Sequence, residues 1–236
     1  MIEVRGLHKK YGKQEALEEI SFVLPKGSVL GVAGANGAGK STLFDILTTL
    51  DRRWDGDVLI NGLSPKLDYL KIRKFIGYVP GTWSLYPELT VMENIKFFAR
   101  MYGCSPDSLF HSPFWDSLRD FANMRSSNLS GGMKQKLAII CAMVHSPEIL
   151  FLDEPTTGID PSSREAIWKE LLKLRERGVT IVASTHYYEE FNYMESLLFL
   201  HEGRQLLFSS VEEIRGGEAA NEEFYENYLA KCLKQS

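Results

Sequence analysis

The sequence predicts an α/β fold with a mainly parallel sheet, an antiparallel β region at the N-terminus and a helical subdomain inserted in its middle. Short β-branched runs alternate with helix-period segments, the pattern of parallel strands joined by covering helices. Between Gly103 and Asn128 the alternation stops, and no strand pattern interrupts a helical or irregular stretch. With 236 residues the chain is long enough to bury one large core.

The expected strands are Ser28 to Ala33, Asp57 to Ile60, Phe75 to Val79, Ile149 to Asp153 and Thr180 to Ser184. Thr90-Val91-Met92-Glu93 has the spacing of a capping box, and Val91, Ile95, Phe98 and Tyr102 give the helix that follows an apolar stripe which Gly103 ends. After Ser130 a second helix carries Leu137, Ile140, Cys141 and Val144 on one face. "SLLFLHEGRQLLFSS" reads as a hairpin turning at Glu202-Gly203, and Phe224, Tyr228, Leu229 and Cys232 stripe a last helix. The expected division of this single domain is an α/β core over 1–80 and 146–208, a helical subdomain over about 81–145, and a helical extension over 209–236.

Lys and Arg total 27 against 31 Asp and Glu, a net charge of −4 that gives no global reason to expect nucleic acid as a partner. Cys104, Cys141 and Cys232 are odd in number and lack CxxC spacing, which fits reduced cytosolic thiols better than disulfides or a metal site. MIEVRGLHKK has no signal-peptide core. The longest apolar stretch, Leu137 to Val144, falls far short of the roughly 18 residues that a membrane span requires. A membrane role would come through a partner.

Gly34-Ala35-Asn36-Gly37-Ala38-Gly39-Lys40-Ser41-Thr42 fits GxxxxGK[ST], lying directly after one expected strand and before a helical segment. Such a P-loop cradles phosphates with inward backbone N–H groups and a helix N-terminus; Lys40 reaches the β- and γ-phosphates and Ser41 is a Mg²⁺ ligand. A magnesium-bound triphosphate also requires a carboxylate for the metal and a group to activate water. "EILFLDEP" delivers Asp153 for the first task and Glu154 for the second, at the carboxyl end of a buried strand, where open parallel sheets bind ligands. His186 follows the next strand and points to a γ-phosphate contact. Leu129-Ser130-Gly131-Gly132-Met133 opens a helix whose N-terminus suits an anion.

In this order the four motifs resemble the signature set of the ATP-binding cassette (ABC) ATPases, over Met1 to about Phe208. The resemblance implies a P-loop NTPase core that binds and hydrolyses ATP with Mg²⁺. Within it Tyr11 stacks on adenine, residues 34–42 bind the nucleotide, Ser41 and Asp153 hold the metal, Glu154 polarises water, His186 contacts the γ-phosphate, and Lys40 takes up developing charge. It also implies a head-to-tail dimer, most simply of identical chains. There residues 129–133 of one subunit close the ATP bound by the other, and Asp160 lies in the dimer-contact loop. "STHYYEEFNYMESLLFLHEGR", "SGGMKQKLAI" and "YPELTVMENI" most resemble the ATPase subunits of ABC-2 type exporters, which sit on the cytoplasmic face of the membrane beside a multispanning permease. The permease would dock near Trp83, Tyr86 and the Val91 to Tyr102 helix; plain packing of the subdomain is the other reading of those aromatics.

Four positions depart from the family pattern. Lys136 stands where Arg is common and Ile159 where Leu is usual, the stretch from Gly103 to Leu129 is short, and Gly81 in "IGYVPG" occupies the place of a glutamine. That last difference keeps open an ATP-binding switch with weak hydrolysis, beside the transport ATPase and a soluble ABC ATPase that drives an assembly process.

Overall fold

The computed structural model describes residues 1–82, 84–216 and 222–235, and its strands form one nine-stranded sheet. They are β1 (Ile2–Tyr11), β2 (Gln14–Leu24), β3 (Val29–Ala33), β4 (Asp55–Ile60), β5 (Ile76–Val79), β6 (Ile149–Leu152), β7 (Thr180–Thr185), β8 (Ser196–His201) and β9 (Arg204–Ser210). Their spatial order is β4-β1-β2-β9-β8-β3-β7-β6-β5. The run β5-β6-β7-β3-β8 is parallel. β1 pairs antiparallel with β2 and β4, and β9 folds back antiparallel on β8. All five strands expected from the sequence form, with ends shifted by a residue or two.

Every residue of β3, β6 and β7 is buried, which is why these strands read as unbroken apolar runs. The pleat sends alternate residues of β3 to opposite faces. Val29 and Ala33 join a core with α3 (Val91–Tyr102), α5 (Gly131–Met143) and α6 (Pro161–Glu176); Leu30 and Val32 join another with α1 (Lys40–Leu47) and the antiparallel strands. Between residues 103 and 128 the described chain forms 3₁₀ turns and one short helix, Pro113–Asp116.

α3 starts with both bonds of the capping box, Glu93 N–H to Thr90 Oγ1 at 3.2 Å and Thr90 N–H to Glu93 Oε2 at 2.9 Å, and ends on left-handed Gly103. Its buried apolar stripe is Val91, Ile95 and Ala99. Phe98 is only partly covered and Tyr102 is exposed, its ring stacked 3.8 Å from that of His145. The one-faced pattern expected for α5 is also corrected. Leu137 through Ala142 are all buried, because this helix is enclosed by β5, α3 and α6 and exposes no long flank. In the last helix, Glu222–Gln235, the buried anchor is Tyr225, which the expected stripe omitted; Arg215 Nε donates to its hydroxyl at 3.0 Å. Trp83 lies outside the described residues.

Candidate functional site

The carboxyl ends of β3, β6 and β7 bring the sequence motifs together. β3 runs into the loop 34–39, and Gly39, at φ 104°, caps α1. A Cβ on Gly39 would fall 2.7 Å from Leu17 and 2.8 Å from the Ala16 carbonyl, so both its dihedral and its close approach require glycine. Ala38 N–H closes a turn on Ala35 O at 3.1 Å, and Ala38 O accepts from Gly203 N–H at 3.1 Å. Lys40 is nearly buried, its ammonium donating to the carbonyls of Gly34 at 2.7 Å and Ala35 at 3.2 Å. It is thus held inside the loop, 3.8 Å from Glu154 Oε1.

Asp153 follows β6 and is buried; its Oδ2 accepts from Ser41 Oγ at 3.3 Å. Its Oδ1 accepts from Ser184 Oγ at 2.5 Å, and the same hydroxyl accepts from Glu154 N–H at 2.8 Å. Ser184, fully buried in β7, therefore ties both acids to the neighbouring strand. Glu154 has a left-handed backbone, φ 47°, unusual for a non-glycine residue. That turn aims its carboxylate toward Lys40. Thr157 Oγ1 donates to Oε2 at 3.2 Å, and His186 Nδ1 lies 3.9 Å from Oε1. Gly81 sits against Asp153: a Cβ there would meet Asp153 O at 3.4 Å and Asp153 Oδ2 at 3.7 Å, ordinary contacts.

A cavity of about 470 Å³ opens in front of the loop, walled by Tyr11, Lys40, Ser41, Thr42 and Glu154. The Tyr11 ring is half exposed; its hydroxyl donates to Asp51 Oδ2 at 3.4 Å, and the Lys9 ammonium lies 4.5 Å from the ring centroid. Lys9, itself buried, pairs with Asp51 at 2.5 Å and donates to Arg53 O at 2.6 Å, fixing the ring from behind. Burial pushes the Asp51 carboxyl up, but hydrogen bonds from Lys9 and the Arg53 backbone outweigh it and hold the group below its ordinary range. The Glu202-Gly203 turn of the expected hairpin forms part of this wall, as do Gln14, Glu15 and Ala16. No spacing marks those positions in the sequence.

Residues 129–133 do not line this cleft. Ser130 and Gly131 face outward, with open space around Gly131, whereas Leu129 is buried and a Cβ on Gly132 would stand 2.9 Å from Ser163. Ser130 caps α5 through Met133 N–H at 3.3 Å. Asp160 caps α6, accepting from Ser162 Oγ at 2.7 Å and Ser163 N–H at 2.9 Å, bonds that hold its carboxyl well below the usual range. Sequence reading also missed buried Asn94 on α3, which accepts from Tyr86 N–H at 2.9 Å and donates to the carbonyls of Tyr86, Leu89 and Thr90.

The residues present fit a magnesium nucleotide. Ser41 and Asp153 place a hydroxyl and a carboxylate oxygen side by side, hard donors of the kind Mg²⁺ takes when phosphates complete its shell. No cluster of three His, Cys, Asp or Glu suited to a metal occurs among the described residues.

Comparison with known proteins points the same way. A family model described as "ABC transporter" matches residues 17–157. The chain is 33% identical over 227 residues, 94% of its length, to the probable multidrug ABC transporter ATP-binding protein YbhF of Escherichia coli, of which it covers 39%. It is 36% identical to the linearmycin resistance ATP-binding protein LnrL of Bacillus subtilis (82% of this chain, 64% of LnrL). It is 35% identical to the Nod factor export ATP-binding protein I of Rhizobium etli (87% and 66%). The chain thus spans from well under half to about two thirds of these relatives' lengths. Among solved structures, an ATP-binding subunit of an ABC transporter superposes with a TM-score of 0.84 at 30% identity, over 97% of this chain and 99% of the other. A dimeric post-hydrolysis cassette bound to ADP and Pi gives 0.77 at 27%, over 89% and 99%.

Proposed function

The chain belongs to the ABC transporter family of ATP-binding cassettes, and on that premise we propose that it is the ATP-binding and ATP-hydrolysing subunit of an exporter. The observation that carries this reading is the convergence on Glu154: Lys40 Nζ and His186 Nδ1 stand 3.8 and 3.9 Å from the same carboxylate oxygen, and Asp153 next to it is bound to Ser41. The ends of β6 and β7 and the start of α1 supply these groups, and packing of the core holds them.

In the proposed reaction Tyr11 stacks on the base, and the N–H groups of residues 34–42 enclose the phosphates. Glu154 accepts a proton from the attacking water as its oxygen adds to the γ-phosphorus and the bond to the β-phosphate breaks. Lys40 takes up charge on the phosphate oxygens, and His186 contacts the γ-phosphate from the end of β7. Ser41 and Asp153 would hold Mg²⁺, which when bound would supply further charge neutralisation. The outward-facing Ser130 and Gly131, remote from the cleft of their own chain, are positioned to close the site of a second copy, with Asp160 at the contact.

The names of the relatives support export; in this reading the chain sits on the cytoplasmic face of the membrane against a separate multispanning permease. None of the described helices is long and apolar enough to cross a membrane. The proposed dock is the outer face of α3. Tyr86 packs edge-on against Phe97 at 4.5 Å, and Tyr86, Met101 and Tyr102 remain exposed. Gly81 favours a second reading, an ATP-binding switch with slow turnover, because that position offers no polar side chain beside Asp153. Light scattering on the Glu154→Gln chain tests the ATP-driven association common to both: MgATP should double the mass, and a monomer with and without nucleotide contradicts it.

A further inference from the structure

Glu154 also lines a second, smaller cavity of about 90 Å³. Its walls include Gly81, Thr82 and Ser84 from the loop after β5, Glu154 and Thr157 from the turn after β6, and Gln135 from α5. The space is large enough for more than one water and is lined with groups able to bind them. Gln135 is 7% exposed, and its Nε2 is buried with no hydrogen-bond partner among the described residues. An unpaired buried amide is destabilising, a cost that a methionine of similar volume would not incur. Its neighbours on α5, Leu137 to Ala142, are apolar and buried, so a polar side chain at this one position stands out. The absence of a side chain at residue 81 leaves open the space between that amide and Glu154.

We propose that Gln135 is a positioning residue for hydrolysis: its carboxamide holds, across this cavity, the water on which Glu154 draws. Gln135 lies on the first turns of the helix that begins at Ser130 and Gly131. Closure of a second subunit on that helix terminus is thereby transmitted to the water beside Glu154. The inference rests on the ATPase reading above. It assigns to α5 the polar contact that Gly81 cannot make.

Phosphate release at saturating MgATP, with KM for ATP and Tm recorded for each protein, tests this on the full chain. Gln135→Met should lower kcat about tenfold with KM within threefold of the parent and Tm not lowered, since methionine fills a similar volume. Gln135→Leu, a second apolar replacement, should behave alike. Adding Gly81→Gln to Gln135→Met should restore at least half of the lost rate, because an amide from residue 81 enters the same cavity. A kcat within twofold of the parent, or a loss of equal size with and without Gly81→Gln, overturns the proposal. So does a loss accompanied by parallel falls in Tm and ATP affinity. A parent chain no more active than Glu154→Gln overturns the ATPase reading itself, and a parent clearly above it leaves the Gln135 result to judge the inference alone.

Discussion

Ser184 contacts no substrate in the proposed reaction, yet one hydroxyl donates to Asp153 and accepts from the Glu154 backbone. Removing it frees the metal-binding carboxylate and the turn that aims the base, so Ser184→Ala should lower kcat about 10- to 100-fold, read by phosphate release. Sequence reading found the two acids because an apolar run ending in Asp-Glu is a pattern; a serine within a β-branched strand is not. Gly81 is the reverse case. Its blank was legible, and the geometry adds that a Cβ fits there at ordinary distances from Asp153. Gly81→Gln should therefore fold and raise basal ATPase; an unchanged rate would show that the position has no part in turnover.

At the scale of elements, Asn94 joins α3 to the loop that follows β5 through one accepted and three donated bonds. Asn94→Ala leaves the Tyr86 N–H without its acceptor, while the carbonyls of Tyr86, Leu89 and Thr90 keep other donors; it should cost about 1–3 kcal/mol, a Tm fall of about 2–10 °C, measured by thermal unfolding. The α3 cap was legible because Thr90 and Glu93 interact locally, but the clamp was not, since its partners depend on how the loop folds back. The single face expected for α5 failed for a related reason: periodicity reports one buried side, and this helix is surrounded. At its C-terminal end His145 Nε2 lies 2.9 Å from Ile76 O while Nδ1 is buried without a partner among the described residues. Burial lowers its pKa from 6.5, partly offset by the Ile76 bond. The unfolded chain then binds the proton more tightly, so stability is full above about pH 6.5 and is lost as pH falls toward the folded pKa. Tm should drop across that window in the parent, and this part of the drop should vanish in His145→Phe.

At the scale of the molecule, the proposed catalytic groups gather at the carboxyl ends of the parallel strands and the start of α1, and the antiparallel β1 and β2 supply the Tyr11 side of the cleft. The parallel core was legible from alternation alone. The nearness of the Glu202-Gly203 turn to the phosphate loop was not, because it follows from β8 lying beside β3 in the sheet, a long-range pairing without a local sequence mark. The central claim is that this arrangement turns over ATP, with Glu154 as the base. Steady-state phosphate release from the parent chain with MgATP, compared with Glu154→Gln under the same conditions, tests it most directly. The arrangement predicts measurable turnover in the parent and a loss of at least about 100-fold in the variant, with ATP binding retained; equal rates in the two proteins, or none in the parent, would contradict it.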